Sequence, residues 1–245
     1  MNTTYYTQNF TLEDIHLNRF GRLKPSVLLY FVQEISGQHA ARLGAGWEAL
    51  AEKKLFWAII RHKIHITRMP TAGETIRLET WPMPTTRTAY PRATVAYDAQ
   101  GNELFRTLAL WVLMDPENRT MVLPGRSGVE VPGILRGLEL DTPGSLSPAE
   151  LENSRVRQVS FTELDRNGHM NNTRYLDWID DLLSSDFHSA HTPEQIHLCY
   201  LSEAREGDEI SLKWSPLEDN VLRVEATRED GKVTRIFAAQ ITFCS

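Results

Sequence analysis

The chain shows the same order of secondary-structure signals twice, and this repeat restricts the fold more than any single motif. In each half, a weakly alternating strand precedes a glycine, Gly21 or Gly168, and a helix with apolar residues at helical spacing. The strand GETIRLETW, from Gly73, then matches the strand GDEISLKW, from Gly207. One helix followed by several antiparallel strands is an α+β pattern. We therefore predict two tandem copies of one α+β unit.

Glycine and proline recur between the two copies, as is typical of a linker. We predict an N-terminal unit over residues 1–117, a linker over 118–153 and a C-terminal unit over 154–245. In the first unit we predict a helix over 24–43 and a hairpin formed by residues 87–98 and 102–115 around a turn at Gly101.

Composition excludes several classes of protein. Of the 245 residues, 41% are hydrophobic and 24% charged, as in a globular protein. A net charge of −6 argues against a broad nucleic-acid-binding surface. Two cysteines make neither a disulfide framework nor a metal-binding pattern, and they indicate reduced thiols in the cytoplasm. We expect no signal peptide and no membrane insertion, because no charged n-region and no apolar run of about 20 residues is present.

A polar cluster stands out in the second copy. Asp165, Asn167 and His169 alternate at a spacing of two, which lets a loop or strand end aim all three side chains the same way. Asn171 and Asn172 follow, and asparagine favours the start of a helix. Backbone N–H groups and the helix dipole would meet there and could hold a developing oxyanion. The spacing alone is also compatible with an ordinary turn and helix cap.

The first copy does not repeat this cluster. It has the residues RLKP, from Arg22, where the second copy has HMNN, from His169. We therefore expect the first copy to lack the chemistry and to form the wall of an apolar pocket.

The pattern D-x-N-x-H-x-N-N-x-x-Y, followed by an apolar helix, resembles the catalytic segment of the acyl-acyl-carrier-protein (acyl-ACP) thioesterases of bacteria and plant plastids. The resemblance continues through the first half in an ordered series of residues: Trp57, Pro70, Gly73, Thr80, Trp81, Asp98, Gly101, Trp111 and Val112. It implies two tandem hotdog folds, each a long helix wrapped by an antiparallel sheet. It also implies hydrolysis of fatty acyl-ACP, which releases free fatty acid and ends chain elongation in fatty acid biosynthesis.

Further expectations follow from the same resemblance. The partner would be an acyl carrier protein bearing the acyl chain. The enzyme would need no metal and no other cofactor. It would act in the bacterial cytoplasm, with a mature plastid form as the alternative, and it would be a monomer or homodimer. Because the chain is acidic overall, the carrier would dock on a local basic patch. The candidates are Lys53, Lys54, Arg87 and Arg92, and the alternative is that these residues are ordinary solvated charges.

A second family segment, Y-R-R-E-C, is represented here by Tyr200 to Ala204. Tyr200 and Glu203 match it, and the resemblance assigns Glu203 to the catalytic set with Asp165, Asn167 and His169. The alternative is that Glu203 simply opens a solvated charged turn. The family's cysteine is replaced by Ala204, and Cys199, five residues away, would face the opposite side of a strand. We therefore expect water, and not a thiol, to attack the substrate.

Each residue of the predicted catalytic set can be given a role in thioester hydrolysis. Either Glu203 or His169 would remove the proton from water, and the sequence leaves this choice open. Asn167 would donate a hydrogen bond to the carbonyl or position the water, and Asp165 would orient Asn167 or His169. The helix beginning near Asn171 would add backbone N–H donors.

Three other functions compete with this interpretation. An acyl-coenzyme A thioesterase of the same fold would use the same residues. A hydratase or dehydratase would pair histidine and aspartate in a different local pattern. A non-catalytic acyl-binding protein is opposed by the intact polar cluster but is compatible with Ala204.

Overall fold

The predicted repeat of one helix and several strands is present in both halves of the computed structural model, which describes residues 4–137, 141–215 and 219–244. The chain divides into two compact units, Met1–Pro143 and Gly144–Ser245. Within the described ranges, no helix is both long and apolar enough to cross a membrane.

The first unit is a five-stranded antiparallel sheet with one long helix. Its sheet has the order β1-β3-β4-β5-β2, and the short β6 pairs with β5. The elements of this unit are β1 (Tyr6–Thr11), α1 (Pro25–Arg42), α2 (Trp47–Glu52), β2 (Phe56–Ile66), β3 (Thr75–Pro82), β4 (Tyr90–Tyr97), β5 (Glu103–Met114), β6 (Met121–Val122) and α3 (Pro124–Ser127).

Helix α1 forms where the sequence predicts it. Pro25 occupies its first turn, where no intrahelical N–H partner is needed, and Gly44 follows its end at φ 75°. Leu28, Val32 and Ile35 are among its buried side chains, and each contributes about 1.5–3 kcal/mol on burial. Burial of this face therefore holds the helix in place.

The predicted hairpin is also confirmed, as strands β4 and β5. The Asp98 carboxylate accepts hydrogen bonds from the backbone N–H groups of Gln100 (2.9 Å) and Asn102 (2.8 Å). Gly101 takes a φ of 87°, which other residues rarely adopt. The turn residues thus fix the register of the two strands.

Part of the segment predicted as a linker lies tightly along the first unit. The Ile134 N–H donates to the Pro82 carbonyl at 2.9 Å. A Cβ atom at Gly133 would lie 2.3 Å from the Met83 carbonyl oxygen, so only glycine allows this approach.

The second unit repeats the pattern with an antiparallel sheet of order β8-β11-β10-β9-β7. Its elements are β7 (Asn153–Gln158), α4 (Arg174–Asp180), α5 (Ser185–Ala190), β8 (Thr192–Tyr200), β9 (Glu209–Trp214), β10 (Val221–Glu229) and β11 (Val233–Cys244).

The expectation of a long helix in this copy is wrong, because α4 has only seven residues. It buries Tyr175, Leu176, Trp178 and Ile179 and ends at Asp180. Leu182 and Leu183 continue the apolar spacing but lie in a turn. The Ser184 hydroxyl accepts a hydrogen bond from the Phe187 N–H at 3.1 Å and caps the start of a separate helix, α5. The apolar spacing therefore runs past the end of α4 into the turn before α5.

Candidate active site

Glu163 holds the two ends of the loop that leads into α4 together by hydrogen bonds. The carboxylate of Glu163 accepts from the Ser160 N–H at 2.8 Å and from the Trp178 indole N–H at 2.6 Å. The Glu163 carbonyl accepts from the Asn171 N–H at 2.8 Å. Ser160 and Glu163 form a capping box, whose S-x-x-E pattern is visible in the sequence although it does not appear among the predicted site residues.

Asp165 organises the polar cluster. Its Oδ1 accepts from the backbone N–H groups of Asn167 (2.8 Å) and His169 (3.2 Å), and its Oδ2 accepts from the Asn167 side-chain amide at 3.3 Å. Gly168 allows the tight bend with a φ of 75°. A carboxylate only accepts hydrogen bonds, so the amide nitrogen of Asn167, and not its oxygen, faces Asp165.

His169 and Glu203 form a pair across two segments of the second unit. Their closest side-chain atoms, Nε2 of His169 and Oε2 of Glu203, are 3.1 Å apart. The backbone brings them together, since His169 forms a β-bridge with Arg205 and the Met170 N–H donates to the Ala204 carbonyl at 2.8 Å. The structure therefore brings all four predicted site residues into one cluster.

The two members of this pair differ in exposure. The His169 side chain is 10% exposed, whereas that of Glu203 is 35% exposed. Arg205 lies beside Glu203, with its Nη2 atom 3.7 Å from Oε2. Arg205 follows Glu203 by two residues, and the sequence analysis did not identify it because no motif marks it.

Four backbone N–H groups before and at the start of helix α4 already have partners within the protein. The helix begins at Arg174 and not near Asn171. The N–H groups of Met170 and Asn171 already donate to the carbonyls of Ala204 and Glu163, and those of Thr173 and Arg174 donate to Asn171. The Asn171 side chain therefore caps a turn that precedes the helix.

Tyr200, the other residue of the second family segment that matches, lies beneath the cluster. Its hydroxyl donates to the Asn172 carbonyl at 3.3 Å. Its ring lies 5.5 Å from that of Phe237, which stacks on Tyr175 of α4 at 4.6 Å between centroids. Burial raises the pKa of Tyr175 and of Tyr200, so both phenols stay neutral at physiological pH. These rings hold α4 and β8 together behind the polar loop.

The first copy repeats the backbone of this loop without the acid–base pair. Asn18 Oδ1 accepts from the N–H groups of Phe20 (2.9 Å) and Arg22 (3.2 Å), as Asp165 does for Asn167 and His169. The Leu23 N–H donates to the Pro70 carbonyl at 2.8 Å, which corresponds to the contact from Met170 to Ala204.

This correspondence shows what the first copy lacks. Arg22 occupies the position of His169, and Met69, one residue before Pro70, occupies that of Glu203. A methionine cannot accept a proton from water. The first copy therefore keeps the loop but not the groups that could activate water.

Cys199 is buried in strand β8 and pairs with Ala238 in the sheet. Its sulfur contacts the Gly144 carbonyl at 3.5 Å and His197 at 3.9 Å. These contacts are compatible with the prediction that no thiol takes part in the chemistry.

Two family models together match most of the chain. The model described as the acyl-ACP thioesterase N-terminal domain matches residues 3–123, and that of the C-terminal domain matches residues 147–242. Each model covers one copy of the repeat.

Curated relatives and solved structures give the same result. The chain is 26% identical over 232 residues to an oleoyl-acyl carrier protein thioesterase of Coriandrum sativum, a match that covers 84% of this chain and 58% of the relative. It is 24% identical over 189 residues to a palmitoyl-acyl carrier protein thioesterase of Gossypium hirsutum, which covers 71% and 46%. The chain thus spans about half the length of the curated relatives it matches.

Among solved structures, an acyl-ACP thioesterase from Bacteroides thetaiotaomicron superimposes with a TM-score of 0.88 at 23% identity, covering 98% of both chains. A 12:0-ACP thioesterase from Umbellularia californica gives 0.82 at 17% identity, covering 98% of this chain and 97% of the other. These likenesses confirm the predicted α+β fold of two tandem hotdogs.

Proposed function

Because the chain belongs to the acyl-ACP thioesterase family, we propose that it hydrolyses the thioester of fatty acyl-ACP and releases free fatty acid. The observation that carries the proposal is the His169–Glu203 pair at 3.1 Å, held beside Asp165 and Asn167. The pair contains a group that can remove a proton from water, and the side-chain amide of Asn167 can stabilise negative charge.

Glu203 is the base in this proposal. It is more exposed than His169, so its carboxylate can meet water at Oε1 while Oε2 faces His169 and Arg205. His169 donates from Nε2 to Oε2 and keeps the carboxylate oriented.

Asn167 is the donor to the substrate carbonyl. One hydrogen of its side-chain amide points to Asp165 Oδ2, and the second is directed to the carbonyl oxygen. As water attacks, that oxygen gains negative charge, and a positioned N–H stabilises it. Asp165 thus acts through Asn167, whose amide it orients.

The reaction balances with these groups alone. The water oxygen bonds to the carbonyl carbon as Glu203 takes one proton, and the carbon–sulfur bond then breaks. The proton on Glu203 passes to the departing thiolate, which regenerates the carboxylate. A thiolate is a good leaving group, so no metal or other cofactor is needed in this mechanism.

The remaining assignments concern the acyl chain and the carrier. We propose that the first unit, 1–117 in the predicted boundaries, provides the acyl pocket, because it has lost the catalytic pair and keeps an apolar sheet face. The second unit, 154–245, provides the chemistry, and 118–153 connects them. Arg92 is buried, so we exclude it from the predicted carrier-docking patch.

We further propose a cytoplasmic location and a monomer or homodimer. Two free thiols, Cys199 and Cys244, favour a reducing compartment. Sedimentation equilibrium would distinguish the two oligomeric states.

The test is thiol release from matched acyl-ACP and acyl-coenzyme A thioesters of increasing chain length. Wild type should release thiol faster from the ACP series. His169→Ala and Glu203→Gln should each lose most of kcat. Arg22→Ala, at the position in the first copy that matches His169, is the control and should retain kcat.

Faster release from the coenzyme A series would mean that the protein is an acyl-coenzyme A thioesterase. No release from any thioester, with the wild type folded, would overturn the hydrolase and support an acyl-binding protein. Full activity in Glu203→Gln would show that Glu203 is not the base, and His169 would then be the candidate.

A further inference from the structure

A row of buried polar side chains crosses the first unit's sheet on the face that α1 covers. Thr80, Thr94 and Thr107 lie opposite one another on β3, β4 and β5. In the next row, Arg92 lies opposite Ala109, and Ala109 lies opposite His62 on β2. Directly opposed residues share one face of a sheet, so these side chains form one surface. None of them takes part in the mechanism above.

Arg92 brings a positive charge into this surface without a carboxylate partner. The residue is 7% exposed, and its Nη1 donates to His39 Nδ1 at 3.1 Å and to Thr80 at 3.4 Å. Within the part of the chain that the structure describes, no carboxylate forms an ion pair with it. Burial lowers the pKa of Arg92 to about 10, so the guanidinium remains charged at neutral pH. His39, in the last turn of α1, accepts the hydrogen bond, and the helix dipole offsets only part of the charge.

His62 adds a polar atom that has no partner in the described structure. The residue is fully buried, and its Nε2 contacts the Thr107 hydroxyl at 2.9 Å. Its Nδ1 is buried without a hydrogen bond. Burial lowers the pKa of His62 to about 3, so the ring is neutral and Nδ1 carries either a hydrogen or a lone pair. A buried polar atom without a hydrogen-bond partner destabilises the fold.

The surroundings of this row are apolar. The row beyond the threonines contains Leu78, Ala96 and Phe105, all fully buried on the same face. Between Arg92 and His62 stands only the small side chain of Ala109, and their Cα atoms are about 10 Å apart, which is two strand spacings. A ligand that suits this face is therefore long and apolar, with an acceptor of hydrogen bonds at one end.

We propose that Arg92 and His62 bind a carboxylate at the far end of an acyl chain, so that the protein accepts acyl chains ending in a carboxylate. A carboxylate both neutralises the guanidinium and matches its fork of donors, whereas a hydroxyl does only the second. With a hydrogen on Nδ1, His62 donates to the other carboxylate oxygen. This inference rests on the proposed function for the identity of the chain, but its test does not require catalysis.

The test measures binding of amides, which replace the thioester with a bond that resists hydrolysis. The probes are N-methyldodecanamide and the mono-N-methylamide of dodecanedioic acid, which differ only in the carboxylate at the far end. Matched pairs with octanoyl and hexadecanoyl chains cover other lengths. Calorimetry with the full chain should give a Kd about tenfold lower for the carboxylate-bearing amide, the gain expected of one charge-assisted pair.

Arg92→Gln should abolish this preference and leave the Kd of the plain amide unchanged. The control is Arg61→Gln, which makes the same change at the neighbour of His62 on the opposite face of β2 and should keep the preference. If Arg92→Gln does not fold, Arg92→Lys serves, and it should lower the preference at least threefold because lysine lacks the planar fork.

Equal Kd values for the two amides in the wild type, failure of both amides to bind, or an undiminished preference in the Arg92 variant would each overturn the inference. Thiol release by the same wild-type preparation tests the proposed function separately. Hydrolysis without a carboxylate preference would reject only the far-end site.

Discussion

Replacing Asp165 with asparagine separates the folding of the loop from its chemistry. Asn18 shows that asparagine supports this backbone, because its Oδ1 accepts the same two N–H groups at 2.9 and 3.2 Å that Asp165 accepts at 2.8 and 3.2 Å. Only the third contact, from the Asn167 amide to Oδ2, has no counterpart in an asparagine. In Asp165→Asn two NH₂ groups would face each other, so the Asn167 amide should rotate and turn its oxygen toward the substrate.

The expected loss can be estimated from that rotation. Losing one hydrogen bond to a charged acceptor should lower the free energy of unfolding by about 1–3 kcal/mol. Losing one donor to the oxyanion should lower kcat by about 10²–10³, or roughly 3–4 kcal/mol in the barrier. KM should change little, because the interaction grows mainly as charge develops on the carbonyl oxygen.

The assay combines steady-state thiol release with calorimetric unfolding. Asn18→Asp, the reverse exchange in the first copy, is the matched control and should keep kcat within about threefold of wild type, since we place no catalytic group there. If folded Asp165→Asn keeps kcat within the same threefold range, Asp165 does not orient the Asn167 amide and the oxyanion assignment is wrong.

Three other predictions test the surrounding groups. Glu203→Gln should lower kcat by about 10²–10⁴ with unchanged unfolding, and a folded variant that keeps kcat within about threefold of wild type would contradict its role as base. Trp178→Phe removes the 2.6 Å bond to Glu163 and should lower the free energy of unfolding by about 1–3 kcal/mol; no loss in calorimetry would mean that this bond does not hold the loop. Burial and two neighbouring aspartates raise the pKa of Asp180 to about 7. Between about pH 4 and 7 the folded protein therefore holds a proton on Asp180 that the unfolded chain has lost, and the free energy of unfolding falls as pH rises through this range. Asp180→Asn should therefore flatten this part of the stability profile in chemical denaturation, and an unchanged slope would refute the shift.

The sequence predicts the repeated elements because their signals are local. Pro25 and Gly44 bracket α1, and the Asp98 turn defines the hairpin, so short-range chemistry decides each of them. The loop of the second copy is similar, since Gly168 and the spacing of Asp165, Asn167 and His169 fix its bend. Predictions of this kind need no knowledge of distant contacts.

The features that sequence analysis misses depend on contacts between distant segments. The apolar spacing through Leu183 predicts a longer helix, but Ser184 starts a new one. The partner of His169 lies 34 residues further on and becomes visible from sequence only through a family resemblance. Burial of Arg92 has no local signal, because alternation along β4 does not show which face is covered.

The two loops also show which residues make the scaffold and which make the chemistry. Both copies share the glycine at positive φ, the side-chain acceptor at the start of the bend and the backbone contact to the following strand connection. They differ in the pair that the scaffold presents, Arg22 with Met69 in one and His169 with Glu203 in the other. Since the same backbone forms with either pair, the acid–base groups are not required for folding of the loop.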